Sequence, residues 1–255
     1  MAPRHGEIVE RWTKDSGIRI RFLDNAPESP IGLPIVFSPG MTDFADEYVE
    51  MLQFFAPRQM IVVEVRGRGR SEIPTSGFRS VDHASDLKAA VAQAGFEQFH
   101  LMTFSRGTTW ALDMMLEIPE RVISLSIGDY WAREHAIAED YSATFMATRF
   151  RGKAMKDRID PTVIKQVFAS SVDRDLLEDV ANTKIPLLLA IGSLEGCLVD
   201  EVYVRTLQER LPNAVVAQIP NSSHDIFKAD RLAFPRLVSD FIIGHEGYLT
   251  VMSDY

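Results

Sequence analysis

Phe99-His100-Leu101-Met102-Thr103-Phe104-Ser105-Arg106-Gly107 is the stretch whose reading decides the fold. An apolar run, Phe99 to Met102, leads into the segment Thr103 to Gly107, which bears a serine, and an amphipathic segment follows. The order is therefore strand, sharp turn, helix. Such a turn lifts the Ser105 hydroxyl above the carboxyl end of a strand. It also aims a helix N-terminus, where negative charge is favoured, at whatever lies beside it. A serine held this way is prepared to attack a carbonyl. Small residues flank serines in many ordinary turns, so the rest of the chain has to supply the context.

Outward from that turn, short apolar runs recur at Leu33 to Phe37, Met60 to Val65, Val122 to Ile127, Ile185 to Ile191 and Ala214 to Ile219. Strands apolar on both faces belong in a parallel sheet covered on both sides. Between them, Tyr48, Met51, Leu52 and Phe55, then Leu87, Ala90, Val91 and Ala94 closed by Gly95, and later Phe234, Leu237, Val238 and Phe241 step with helical spacing. Upstream, Glu7 to Thr13 and Ile18 to Leu23 alternate polar and apolar residues around the turn Asp15-Ser16-Gly17, as an antiparallel hairpin at a sheet edge does. The fold class is α/β: a doubly wound, mostly parallel sheet of about eight strands with helices on both faces. The alternation breaks once. Helix-like pieces around Ala136 to Arg151 and Pro161 to Asn182 contain no expected strand, so residues 130–183 read as a small helical cap inserted in one domain spanning 1–255. The alternative is extra helices on the sheet's flank.

A chain of 255 residues, 46% hydrophobic and 25% charged, is long enough for one sizeable core. A net charge of -9 repels phosphate backbones and anionic headgroups, so neither nucleic acid nor a membrane surface is an expected partner. The basic run Arg66-Gly67-Arg68-Gly69-Arg70 reads as a solvated loop after a strand. Cys197 is the only cysteine, which rules out an internal disulfide. With neither a signal peptide nor an apolar span legible, a cytoplasmic location is expected. The tail from Gly244 to Tyr255, with Tyr248, Leu249, Val251 and Met252, is apolar enough to fold back or to meet a second copy of the chain as a homodimer.

Ligands of such sheets bind beyond the carboxyl ends of the strands. Of the six histidines, His5, His83, His100, His135, His224 and His245, only His224 follows the last strand on the rim that Ser105 occupies. An imidazole there can take the hydroxyl proton and return it to a leaving group. No His-x-x-x-His or Cys-His spacing supports a metal, and no cofactor is expected. The imidazole needs a carboxylate. Glu195, after the next-to-last strand, is the expected acid; Asp129, at the end of the run from Val122, is the alternative, and Asp200 better suits a helix N-cap. Donors for a developing oxyanion are expected from the backbone amides of Arg106 and Met41, the latter on the loop Phe37-Ser38-Pro39-Gly40-Met41.

On these residues the chain resembles the α/β-hydrolase superfamily over almost its whole length, with Val65-Arg66-Gly67-Arg68-Gly69-Arg70-Ser71 similar to the glycine-rich loop many members carry. Three positions depart from the common pattern. Pro39 stands where a His-Gly histidine is usual, Thr103 replaces the first glycine of the serine turn, and Glu195 would replace an aspartate. None removes a group that acyl transfer requires. The resemblance implies a serine hydrolase acting on a carboxylic ester or lactone of a small-molecule substrate through an acyl-enzyme. The alternatives are a carbon-carbon bond hydrolase or enol-lactonase for an acidic ring-cleavage product, and, from another class, an inactive ligand-binding homologue. It also implies that the Arg106 side chain can face the pocket, where a substrate carboxylate would suit it unless a cap or core acid holds it. Tyr130, Trp131, Phe145 and Phe150 are the cap aromatics expected to line that pocket.

Overall fold

The computed structural model describes residues 7–15 and 17–253. His5, Ser16 and the tail side chains from Tyr248 onward lie outside the described residues. Twelve strands follow in chain order: β1 (Val9–Asp15), β2 (Ile18–Asp24), β3 (Ile35–Ser38), β4 (Met60–Glu64), β5 (Phe99–Phe104), β6 (Val122–Gly128), β7 (Arg133–Glu134), β8 (Arg149–Phe150), β9 (Lys153–Ala154), β10 (Arg174–Asp175), β11 (Leu187–Gly192) and β12 (Val215–Ile219). The helices are α1 (Val49–Phe55), α2 (Ser80–Ala94), α3 (Gly107–Glu117), α4 (Tyr141–Met146), α5 (Pro161–Ala169), α6 (Leu177–Thr183), α7 (Glu201–Arg210) and α8 (Ala233–Ser253). No helix among the described residues is long and apolar enough to cross a membrane.

Eight strands form one sheet in the order β1-β2-β4-β3-β5-β6-β11-β12. The leading hairpin is antiparallel and joins β4 antiparallel, while every pairing from β4 to β12 is parallel. The unbroken apolar runs are explained by cover on both faces. On β5, Phe99 and Leu101 face a cluster with Leu87, Ala90 and Val91 of α2 and Trp110 of α3. Met102 and Phe104 face the other side, against Met51, Leu52 and Phe55 of α1 and Phe234 and Val238 of α8. Because Leu101 is almost wholly buried, its truncation to alanine should cost about 2–5 kcal/mol. Helix α2 ends as its sequence demands, with Gly95 in the left-handed region at φ +75° and its N–H returned to the Val91 and Ala92 carbonyls.

The segment between β6 and β11 differs from its sequence reading in two respects. It contains four two-residue strands, paired as β7 with β10 and β8 with β9, where no strand was expected. Such short pairings carry no periodicity to read. Helix α6, moreover, belongs to the sheet's flank, since Leu177 and Val180 join the cluster that holds α3 and α7. The remaining pieces build a small apolar cluster around Met155, Ile159, Val163, Ile164, Val167 and Phe168, which Phe78 of the loop before α2 joins.

Candidate active site

Ser105 leaves β5 with φ +51°, a left-handed backbone that costs a non-glycine residue about 1–2 kcal/mol. Its N–H continues the sheet ladder to the Gly128 carbonyl at 3.0 Å, which holds the strained residue in place. The turn then runs so close to the neighbouring loop that a Cβ on Gly107 would lie 2.0 Å from the Pro39 carbonyl oxygen and 2.6 Å from that of Ser38. Only glycine fits there. The Ser38 hydroxyl donates to the Gly107 carbonyl at 2.9 Å, locking loop to turn. Thr103, in place of the usual glycine, is completely buried, and its hydroxyl lies 2.9 Å from that of Thr108. A β-branched residue suits the end of a strand, and its polar atom has found a partner.

The Ser105 Oγ lies 2.9 Å from His224 Nε2, and His224 Nδ1 lies 2.7 Å from Asp129 Oδ2. With Nδ1–H donating to the carboxylate, Nε2 keeps its lone pair and accepts from the serine hydroxyl. Phe104 stacks on the imidazole at 5.2 Å and helps fix its plane. Asp129 is buried and also left-handed, at φ +41°. Its N–H bonds the Ala190 carbonyl at 2.8 Å, and its carboxylate accepts the Leu198 and Val199 amides at 3.0 and 3.3 Å. A carboxylate so held presents a fixed oxygen to the ring.

The expected acid is thereby corrected. Glu195 is exposed, and its carboxylate bonds to no group of the described chain; the carboxylate at the imidazole is that of Asp129. Both residues follow a strand on the same rim, but the loop carrying Glu195 lies over Asp129 and supplies amides to it. Asp200 caps α7, accepting the Tyr203 N–H at 2.8 Å.

In the turn and the loop that meet at Gly107, neither the Arg106 nor the Met41 N–H donates to another group among the described residues. The loop carrying Met41 is braced on both sides. Asp43 accepts the Gly40 N–H at 3.2 Å and the Tyr48 hydroxyl at 2.6 Å, and the Arg68 Nε–H donates to the Met41 carbonyl at 2.9 Å. The basic run is therefore a solvated loop only at Gly69 and Arg70. Arg66 is buried on Asp86 at 2.6 Å, and Arg68 is buried between the Arg66 carbonyl and His83 with its guanidinium 4.7 Å over Trp110. Burial pulls the Arg68 pKa down to about 9. Burial and the adjacent Arg68 push His83 well below its usual range, so its Nε2 stays unprotonated and accepts from Arg68.

Other expectations fare differently. The Arg106 side chain is buried against the insertion, donating to the His135 carbonyl at 2.7 Å and to Glu134 at 3.1 Å. It is committed to that acid and does not face substrate. Tyr130 is buried in the main core with Trp131 packed beside it, and Phe145 packs on Phe168 inside the insertion. These contacts explain them as core. Phe150 does reach the rim, on a groove that His224 also lines.

Sequence reading missed the side chains that fasten the insertion. Arg151 forks onto Asp225, the neighbour of His224, at 2.9 and 3.0 Å, and lies 3.3 Å from the Tyr48 hydroxyl. Fully buried Arg158 reaches Asp43 at 3.0 Å and Glu47 at 2.7 Å. Partners 74 to 115 residues apart leave no local pattern; the only legible sign was acids close behind a glycine loop.

A family model described as the alpha/beta hydrolase fold matches residues 34–127, from β3 through β6. A protein of Azorhizobium caulinodans, provisionally named a carbamate hydrolase, is 24% identical over 251 residues, covering 80% of this chain and 91% of that one. Among solved structures, the enol-lactonase from Burkholderia xenovorans superposes with a TM-score of 0.75 at 15% identity, covering 91% of this chain and 100% of the other. E-2-(acetamidomethylene)succinate hydrolase gives 0.73 at 16% identity, covering 92% and 99%. At these identities the structural likeness establishes the fold.

Proposed function

Because this chain belongs to the α/β-hydrolase superfamily, we propose that it is a serine hydrolase cleaving an ester-like acyl bond of a small, partly apolar substrate. The observation that carries this reading is the unbroken relay from Ser105 Oγ through His224 to Asp129, at 2.9 and 2.7 Å. Its geometry gives each group a task. As Ser105 Oγ attacks the substrate carbonyl, its proton passes to His224 Nε2, and Asp129 stabilises the imidazolium that results. The carbonyl oxygen becomes an oxyanion, for which the Arg106 and Met41 N–H groups are the two donors at hand. The bond to the leaving group breaks as His224 returns the proton to it, leaving Ser105 acylated. Water then attacks the acyl carbon, giving its proton to Nε2; the carboxylic acid departs and the serine recovers its hydrogen.

The names of the relatives include a carbamate hydrolase, an enol-lactonase and an (acetamidomethylene)succinate hydrolase; the substrates so named contain acyl groups and are compatible with this sequence of steps. The reading is tested with p-nitrophenyl acetate: a burst of nitrophenolate followed by slower turnover is expected. Ser105→Ala should lower kcat on the order of a million-fold. Turnover unchanged in Ser105→Ala would remove the serine from the mechanism. A folded protein inert to esters that consumes a dienoic keto acid would move the reaction to a carbon-carbon bond.

A further inference from the structure

A groove of about 730 Å³ opens beside the His224 imidazole, between the β8–β9 hairpin and the loop after β12. Its apolar surface includes Phe150 and Phe227. Its charge is opposite to that of the molecule: Arg149, Arg151, Lys228 and Arg231 line it against the single carboxylate of Asp225, in a chain of net charge -9. Two of the four cations are occupied. Arg151 neutralises Asp225 through the bidentate pair, and Arg231 lies 3.5 Å from Glu50 and donates to the Glu47 carbonyl. The other two are available. The Lys228 ammonium has no partner among the described residues, and Arg149 donates only to the Gly152 carbonyl of its own hairpin. Both are exposed, so on a convex surface they would simply be solvated. A concave wall of one sign instead focuses the field and concentrates anions where the reacting imidazole lies.

Resting on the acyl-transfer reading above, we propose that this groove receives a carboxylate carried by the substrate, with Lys228 and Arg149 as the groups that hold it. The substrate class narrows to short acids bearing an acyl bond at the far end: an apolar spacer lies along Phe150 and Phe227, the carboxylate meets the two free cations, and the scissile carbonyl reaches Ser105. Arg151 has a separate part. By pairing Asp225 it keeps a negative charge next to His224 from repelling the ligand. Arg106, committed to Glu134, leaves this groove as the anion-binding wall beside the imidazole.

The test compares p-nitrophenyl hydrogen adipate with methyl p-nitrophenyl adipate, esters alike except for the terminal charge. At low ionic strength kcat/KM should favour the acid by about tenfold, the scale of two exposed charge pairs, and added salt should shrink that ratio. In the Arg149→Gln, Lys228→Gln double variant the ratio should fall to near one. A wild-type ratio near one, or a variant ratio equal to that of the wild type, overturns the proposal while leaving the hydrolase reading intact. Calorimetric titration of Ser105→Ala with adipate supplies a readout free of turnover: binding present there and lost on adding the two glutamines supports the groove even if neither ester is hydrolysed, and no binding overturns it.

Discussion

At the scale of single residues, the site depends on two strained positions and one missing side chain. Ser105 and Asp129 both stand at positive φ, and each is tied down by a ladder hydrogen bond to the next strand. Gly107 allows the Pro39 carbonyl to approach where a methyl group would be 2.0 Å away. Gly107→Ala should therefore shift the Ser38–Met41 loop and destabilise the protein by about 1–3 kcal/mol, measured by urea unfolding. The two carboxylates make a sharper prediction. Asp129→Asn should lower kcat on the order of ten-thousand-fold, because an amide cannot hold the tautomer, whereas Glu195→Gln should stay within about twofold of wild type in the same ester assay. The sequence made Ser105 and His224 legible because strand ends and turns are local signals. It did not separate Asp129 from Glu195, since both follow strands of one rim. Which one turns inward depends on a left-handed backbone and on two amides from residues 198 and 199.

Among the elements, the β8–β9 hairpin and the segment after it are joined to the sheet by ion pairs as well as by packing. Arg158 is wholly buried with Asp43, which in turn accepts the Gly40 N–H beside Met41. Removing the cation leaves a buried carboxylate with Arg151, 3.8 Å away, as its nearest counter-charge. Arg158→Met should cost about 3–5 kcal/mol in denaturant unfolding, and ester turnover should fall with it as the Met41 loop loses its brace. Unchanged stability would mean that Asp43 and Glu47 are satisfied without Arg158. Regular elements of this molecule were legible from periodicity: the alternate residues of β5 serve two helical layers, and α2 ends at its glycine. Two-residue strands and partners such as Arg151 with Asp225, 74 residues apart, were not, because their pairing is set by tertiary geometry. Arg66 and Arg68 of the basic run were misread for the same reason, while Arg70 is exposed as its charge suggested. The charge of the run suggested solvent throughout, but Asp86, His83 and the Met41 carbonyl give Arg66 and Arg68 buried partners.

For the whole molecule, buried histidines set the response to acid. His83 is fully buried and held well below its usual pKa by burial and by Arg68; burial also lowers His100, with Glu246 opposing. Below the ordinary value of 6.5 the unfolded chain takes up protons that the folded chain refuses. The unfolded state then binds more protons, so stability must fall as the pH drops through 6.5. Glu246 acts further down. Burial alone would raise it, but Arg58, the Leu33 amide and His100 hold it at about 2, so the stability it supplies is intact above 4.5 and is lost from there towards 2. His83→Gln should flatten the decline in unfolding free energy between about pH 7 and pH 5; a slope equal to that of wild type would place the acid response elsewhere. The charged surface, the buried arginines and the fold converge on one function only if Ser105 is the nucleophile. The most direct measurement is reaction with a fluorophosphonate, followed by mass spectrometry of the digested protein. One adduct on the Ser105 peptide is predicted, absent from Ser105→Ala and far slower in His224→Ala. A folded protein that stays unlabelled, or that carries its adduct on another residue, would contradict the account.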